Sequence, residues 1–513
     1  MRIEIRKFGW TLMMCAAIAM GGLMTACSDD NNDGNGGGGG DDDLKDPEVT
    51  YNGSTAISKG ILFNKGTELG NGTQDFSFTG DVTLKKGTYL LKGWVYIAEG
   101  AKLRIPAGTV IKGDKQTKAA LIIEPGGYVE MKGTKNEPIV MTSEEAPGRR
   151  KPGDWGGLII CGKAPNNNGT LNQQIEGGPR TKHGGTVADD NSGIFQYLRV
   201  EFAGYPFEPD KEINGITFGS VGSGTTVDHL QVSYSSDDSY EWFGGTVNCK
   251  YLVAYKGWDD EFDTDNGFSG NVEYCLSIRD PKIADKSQSN GFESDNNASG
   301  SATATPMTSA HFSHVTFIGP GAAKNNFDYA TCNTTDYING NSMNGNGADL
   351  GLYQSAMQIR RSSKLNVKNT LAVGYPVGLI IDGEKGSTPQ FAKDGLFTLE
   401  NIIFAGMGVI GSDGNKIYKD QYSADGKNIT DATRVSFSNE FFTNAAGTYT
   451  TSINNKVMEE SALGLTDPAN TGQNYCPGTV ISDGNGGYIG AFRDASDNWL
   501  EGWTNFDPQN TNY

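Results

Sequence analysis

From Leu198 onward the chain repeats one short apolar pattern at nearly constant spacing, and few folds accept such a repeat. Leu198-Arg199-Val200-Glu201-Phe202 can be laid over Leu230-Gln231-Val232-Ser233-Tyr234. Tyr251-Leu252-Val253-Ala254-Tyr255 and Tyr274-Cys275-Leu276-Ser277-Ile278 follow, with start-to-start steps of 21 and 23 residues among these central three. His314-Val315-Thr316-Phe317, Asn369-Thr370-Leu371-Ala372-Val373 and Asn401-Ile402-Ile403-Phe404-Ala405 are later copies, spread by inserted loops. Alternate apolar residues of a strand share one face. A step of this length is one coil of a parallel β-helix, each rung stacking its apolar row on the next. A sandwich would need tight hairpins between adjacent strands, and the Asn-Gly and Asp-Gly pairs mostly fall elsewhere. Upstream, Gly93-Trp94-Val95-Tyr96-Ile97, Ala101-Lys102-Leu103-Arg104-Ile105 and Ala120-Leu121-Ile122-Ile123 are further short strands, and helical periodicity is absent. The chain reads as all-β, a solenoid with loop insertions.

Around this core the chain divides into segments. Residues 1–26 read as a lipoprotein signal peptide: Arg2, Arg6 and Lys7 precede an uncharged run at 10–24, closed by Thr25-Ala26-Cys27. The run falls short of the roughly 20 apolar residues a membrane span needs. Leu23-Met24-Thr25-Ala26-Cys27 resembles the lipobox, which makes Cys27 the lipidation site and the lipid the anchor. Ser28, Asp29 and Asp30 begin an acidic run that resembles the surface-export signal of Bacteroidota lipoproteins. The Gly/Asn/Asp tract over 27–48 cannot bury enough apolar surface to fold, so it is a tether. Residues 49–92 are taken as an N-terminal cap region, 93–410 as the β-helix, and 411–513 as a loop-rich segment with a C-terminal cap. Tyr488-Ile489-Gly490-Ala491-Phe492 and the stretch from Trp499 to Trp503 supply that cap, closing an edge otherwise open.

The chain carries 61 acids against 42 Lys and Arg, a formal net charge of −19, which argues against nucleic acid or anionic membrane surfaces as partners. Cys161, Cys249, Cys275, Cys332 and Cys476 are scattered without a Cys-x-x-Cys pair, so a zinc site is not expected and buried thiols are.

One constellation could carry chemistry. Asp237-Asp238-Ser239-Tyr240-Glu241-Trp242-Phe243 matches Asp259-Asp260-Glu261-Phe262-Asp263-Thr264-Asp265 at an offset of 22, and Gly291-Phe292-Glu293-Ser294-Asp295 repeats the second half. On a β-helix an equal offset is a vertical stack. Tyr240, Phe262 and Phe292 then form an aromatic column, with Glu241, Asp263 and Glu293 beside it. Carboxylates stacked about 5 Å apart repel unless something neutralises them. Asp238, Glu241, Asp260, Asp263, Asp265, Glu293 and Asp295 are therefore candidate cation ligands, and hard oxygen donors suit calcium. The same acids would equally serve as turn formers that bond backbone groups. Trp242 and Trp258, in or beside these loops, are candidate stacking surfaces for a sugar ring.

Enzyme motifs are not found. Gly-His-Gly and Arg-Ile-Lys, which polygalacturonase-like enzymes carry, do not occur, nor does Gly-x-Ser-x-Gly. Asp237 and Asp238 would point to opposite faces of an extended strand, a poor pair for glycoside hydrolysis. Arg279, Arg360 and Arg361 are available as bases, but no spacing singles one out, and Arg199 reads as solvated. No residue is assigned a catalytic role.

Ala120-Leu121-Ile122-Ile123-Glu124-Pro125-Gly126-Gly127, Gly153-Asp154-Trp155-Gly156-Gly157-Leu158 and Asp295-Asn296-Asn297-Ala298-Ser299-Gly300 are further motifs. With the ending Gly502-Trp503-Thr504-Asn505-Phe506-Asp507-Pro508-Gln509-Asn510, they resemble the pectin-lyase-like β-helix lipoproteins of Bacteroidota, related to a leptospiral outer-membrane lipoprotein. The resemblance implies a right-handed parallel β-helix at the outer membrane and says little about biochemical role. The expectation is a non-catalytic surface lipoprotein that binds a glycan or a partner such as a TonB-dependent transporter. The alternative is a calcium-assisted polysaccharide lyase or glycoside hydrolase.

Overall fold

In the central strands one inward row is apolar throughout: Leu230, Leu252, Cys275 and Val315 are register partners on successive coils, all buried. These contacts come from a computed structural model, which describes residues 61–63, 68–208, 211–285, 287–325, 353–413, 421–422, 428–429 and 436–513. The signal peptide, Cys27, Ser28, Asp29, Asp30, the tether and Cys332 lie outside the described residues.

The strands Thr226–Ser233, Asn248–Tyr255, Asn271–Ile278, His311–Ile318 and Asn366–Val373 are each bent by one left-handed residue: His229, Tyr251, Tyr274, His314 and Asn369, with φ between +51° and +60°. Such backbone costs a non-glycine residue about 1–2 kcal/mol. It turns the wall, so among the described residues the 17-stranded parallel sheet makes two walls of the coil and the 11-stranded sheet the third. Stacking accompanies the bend. Ring centroids are 4.4 Å apart for Tyr197–His229 and His229–Tyr251, 5.0 Å for Tyr251–Tyr274 and 5.1 Å for Tyr274–His314.

This column corrects the alignment drawn from sequence at one step. Leu230 pairs with Leu252, not Tyr251, so the central steps are 22 and 23 residues. The first two copies begin one residue after the bend and the later ones begin on it. The solenoid also begins before residue 93: Phe76–Phe78 pairs with Trp94–Ile97, and Asp81–Leu84 with Lys102–Pro106.

The C-terminal segment is not an end cap. Beyond the bend, the outer face of the long strands is apolar as well, with Val253, Leu276, Leu371 and Ile403 on it. Trp503, Phe492, Leu500 and Ile489 run back across that face and bury it. Gly490 N–H donates to Asn369 O, Gln231 bonds Asn505, and Arg150 donates to Pro508 O and Thr511 O. A sheet apolar on both faces needs a cover along its length, and this strap supplies it. Arg199 lies under it, 12% exposed, not solvated. The helix Phe437–Thr443 closes the last coil, with Phe442 stacked on Phe404 at 4.2 Å. Cys161, Cys249, Cys275 and Cys476 are free, buried thiols.

Candidate functional site

One outward column runs the length of the 11-stranded wall, and its chemistry changes along the way. Tyr96, Ile122, Ile159, Thr217, Glu241, Asp263, Glu293, Gln358 and Ile380 are successive register partners. The early members are apolar because two inserted segments cover them: Ile175 and Ile213 pack with Tyr96, Ile122, Ile159 and Phe243. Below that cover the column turns acidic. The inward neighbour column is Tyr240, Phe262 and Phe292, all fully buried, as the repeated motif predicts.

The loops that lead into these strands bring further acids to the same place. Carboxylate oxygens of Asp237, Asp238 and Asp259 lie within 4.8 Å of one another, and so do those of Asp238, Glu241 and Asp263. Asp238 belongs to both groups. Asp238 and Glu241 are buried, while Asp237, Asp259 and Asp263 keep a partial opening to solvent. The Oδ1 atoms of Asp259 and Asp263 are shielded from water and have no hydrogen-bond partner. Asn214, 1% exposed, donates from Nδ2 to Glu241, and its Oδ1 is likewise without a partner. Buried polar atoms in that state are uncommon.

Burial, then mutual repulsion, pushes the carboxyls of Asp237, Asp238, Glu241, Asp259, Asp260 and Asp263 well above the usual range. Asp265 is raised by burial and then by Asp295. Glu176, on the inserted segment, is pushed up to about 7 by burial, against a hydrogen bond with Glu241 that lowers it. So many anions cannot all be ionised side by side without a proton or a cation among them.

Two of the sequence-derived ligands are already neutralised. Arg360 donates from Nε to Asp295 Oδ1 at 2.8 Å and also pairs with Glu293, and Arg361 donates to Asp295 Oδ2 at 2.6 Å. Asp260 and Asp265 flank the converging groups, each accepting a backbone N–H, from Asn290 and Asn266. Asp237 and Asp259, which the sequence reading does not count among the cation ligands, join them. Here they sit in loops, and the loops fold both toward the groove. Glu176 and Asn214 had no repeat to announce them.

Trp242 and Trp258 are corrected outright. Both are fully buried: Trp242 stacks on Phe218 and Phe268 inside the coil, and Trp258 donates from Nε1 to Ala284 O. Trp242 follows the outward Glu241, and alternation turns it inward. Neither can stack on a ligand. Arg279 is also buried, donating to Glu261 Oε1 at 2.6 Å.

Fold and site together define a right-handed parallel β-helix with acids converging on successive coils of one wall. The family description that matches, over residues 76–461, is the pectate-lyase like beta helix domain, and the chain belongs to that family. The crystal structure of the Dettilon tailspike protein (gp208) is similar at 9% identity and a TM-score of 0.25. That match covers 65% of this chain and 62% of the tailspike, less than two thirds of its length. No curated protein matches the chain.

Proposed function

We propose that this chain is a surface-exposed outer-membrane lipoprotein, anchored at Cys27, that binds a ligand through a cation held in the acidic groove and does not itself catalyse a reaction. Calcium is the cation the donors suit, since every converging group is a hard oxygen. The observation that carries this reading is the pair of shielded, partnerless oxygens on Asp259 and Asp263, whose carboxyls are raised by burial and then by neighbouring acids. A glycan or a partner such as a TonB-dependent transporter is the ligand class that fits an outer-surface address. The test is a thermal melt of the purified chain in chelator and in calcium chloride, then pull-down from native membranes under both conditions. A calcium-dependent partner supports the reading; identical melts and identical pull-downs refute it.

A second reading, a cation-assisted polysaccharide lyase or glycoside hydrolase, draws on one observation. Glu176, raised to about 7, is a carboxyl poised for proton transfer near neutral pH. Turnover of an acidic polysaccharide that is lost in Glu176→Gln would favour it.

A further inference from the structure

We propose a second ligand site on another wall of the coil: a notch over Ser313 that takes one unit of a neutral saccharide. The proposal does not rest on the cation reading above. Before the bend, the outer face of the long strands carries a charged row, in which Lys250, Glu273, Ser313, Lys368 and Glu400 are successive register partners. Only Ser313 is short. Its neighbours pair away from it, Lys250 with Glu273 at 2.9 Å and Lys368 with Glu400 at 3.3 Å. A serine between two long-chain pairs leaves a gap spanning two coil steps, roughly 9–10 Å. The gap is a cavity of about 280 Å³, with Phe312 and Val367 in its lining, close to the size at which small-molecule sites begin.

The charges of the notch cancel. Glu273 and Glu400 are matched by Lys250 and Lys368, so an ion of either sign meets a group of its own sign beside each partner. A saccharide hydroxyl carries no such penalty, since it donates to one group and accepts from the next. The rim offers both kinds of partner. Glu273 and Glu400 accept and Lys368 donates, and because these pairs are part-exposed they hold one another weakly and keep bonding capacity for a ligand. His311 stands exposed in the neighbouring row, register partner of Asn271 and Asn366, and its two ring nitrogens supply a donor and an acceptor. Asn271 gives Nδ2 to Asn248 Oδ1 and keeps its own Oδ1 for a donor. The acids of the candidate cation site belong to the 11-stranded wall and the notch to the 17-stranded one, so the two sites are separate.

Titration calorimetry of the purified chain in chelator, with cellohexaose, xylohexaose, mannohexaose and maltohexaose as probes, tests this. At least one of these neutral hexamers should bind, and hexagalacturonate should bind no better. Ser313→Trp, which fills the notch from an outward position, should abolish the binding and leave the melting temperature and its response to calcium unchanged. His311→Ala and Lys368→Met, both at exposed positions, should each weaken it about tenfold, the worth of a hydrogen bond to a charged or strongly polar group. Asp238→Asn should leave it as it is. The proposal is overturned if none of the hexamers binds, if binding survives Ser313→Trp in a folded chain, or if His311→Ala and Lys368→Met both leave affinity unchanged. Loss of binding in Asp238→Asn alone would place the sugar in the acidic groove and overturn the notch.

Discussion

Asp238 Oδ1 accepts the backbone N–H of Asp260 at 2.8 Å, one coil further on. Asp260 does the same for the N–H of Asn290, and Asn290 Oδ1 accepts that of Ser355 at 3.0 Å. The two readings of these acids, turn former and cation ligand, thus do not exclude each other: one oxygen of each serves a coil-to-coil ladder.

The ladder makes a clean test possible. Asn290 shows that an amide oxygen does the ladder's work, so Asp238→Asn should keep the coil intact while removing the acid common to both converging groups. Its melting temperature in chelator should match or exceed that of the wild type, since a repelling charge has gone. Calcium at 100 times its dissociation constant should stabilise the wild type by about 2.7 kcal/mol. The variant should show a much smaller rise. Asp238→Ala, which also breaks the ladder, should lose about 1–3 kcal/mol in chelator.

Stability without calcium should fall as pH rises through the acid range. A carboxyl raised in the folded state penalises folding once the unfolded chain has released its proton. For Glu176 the penalty is absent below about 4.5, grows above it and is complete near 7. Denaturant midpoints between those limits should decline in the wild type, decline less in Glu176→Gln, and recover in calcium. His183 works in the opposite sense. Burial lowers it from 6.5 to about 3, so its contribution is full above 6.5 and is lost as pH falls toward 3. His183→Asn should flatten the acid limb alone.

The columns of the site are legible in the sequence. An offset of 22 on a fold with period-2 side chains stacks Glu241 on Asp263, and the repeated Phe-acid motif carries the column on to Glu293 across a longer loop. The same period also turns Trp242 inward, a consequence that its place in an acidic loop obscured. What escaped is non-repeating. Arg360 reaches Glu293 and Asp295 across a long insertion, Glu176 sits in another, and Trp503 lies 274 residues from His229, against which it packs. No periodicity relates such positions, so from sequence alone the strap reads as a cap.

The strap should contribute to stability along the whole wall. Trp503 is fully buried, donates from Nε1 to Trp499 O at 2.8 Å, and meets His229 edge-on at 5.4 Å. Trp503→Ala should cost about 3–5 kcal/mol by denaturant unfolding. Exchange protection should fall beneath the strap, from Tyr197 to His314, and hold at the acidic groove. A loss under 1 kcal/mol would show that the left-handed column does not depend on its cover.

Cys27→Ala should leave an unprocessed or unacylated precursor, read by lipid labelling and by mass. Replacing Asp29 and Asp30 with Asn should reduce protease accessibility on intact cells while leaving acylation unchanged. Unchanged accessibility would remove the export signal from the proposal and keep the anchor.

The purified chain should not degrade acidic polysaccharides. A lyase needs a base beside its cation to take the proton next to a uronate carboxylate. Arg279 is sealed in a buried pair with Glu261, and Arg360 is held by Glu293 and Asp295, so neither is free to serve. A hydrolase needs two carboxyl groups about 5 Å apart or more, flanking the glycosidic bond. Glu176 and Glu241 are in hydrogen-bond contact, too close to admit that bond between them. Family membership does not decide the matter, because activity resides in the site and not in the fold. The measurement is incubation with pectin, polygalacturonate and host glycosaminoglycans in calcium, following unsaturated-product absorbance and reducing ends. Turnover abolished by Asp260→Ala or Asp263→Ala would overturn the binding proposal and make the groove an active site. Calcium-dependent binding to one of these polymers without turnover would identify the ligand class instead.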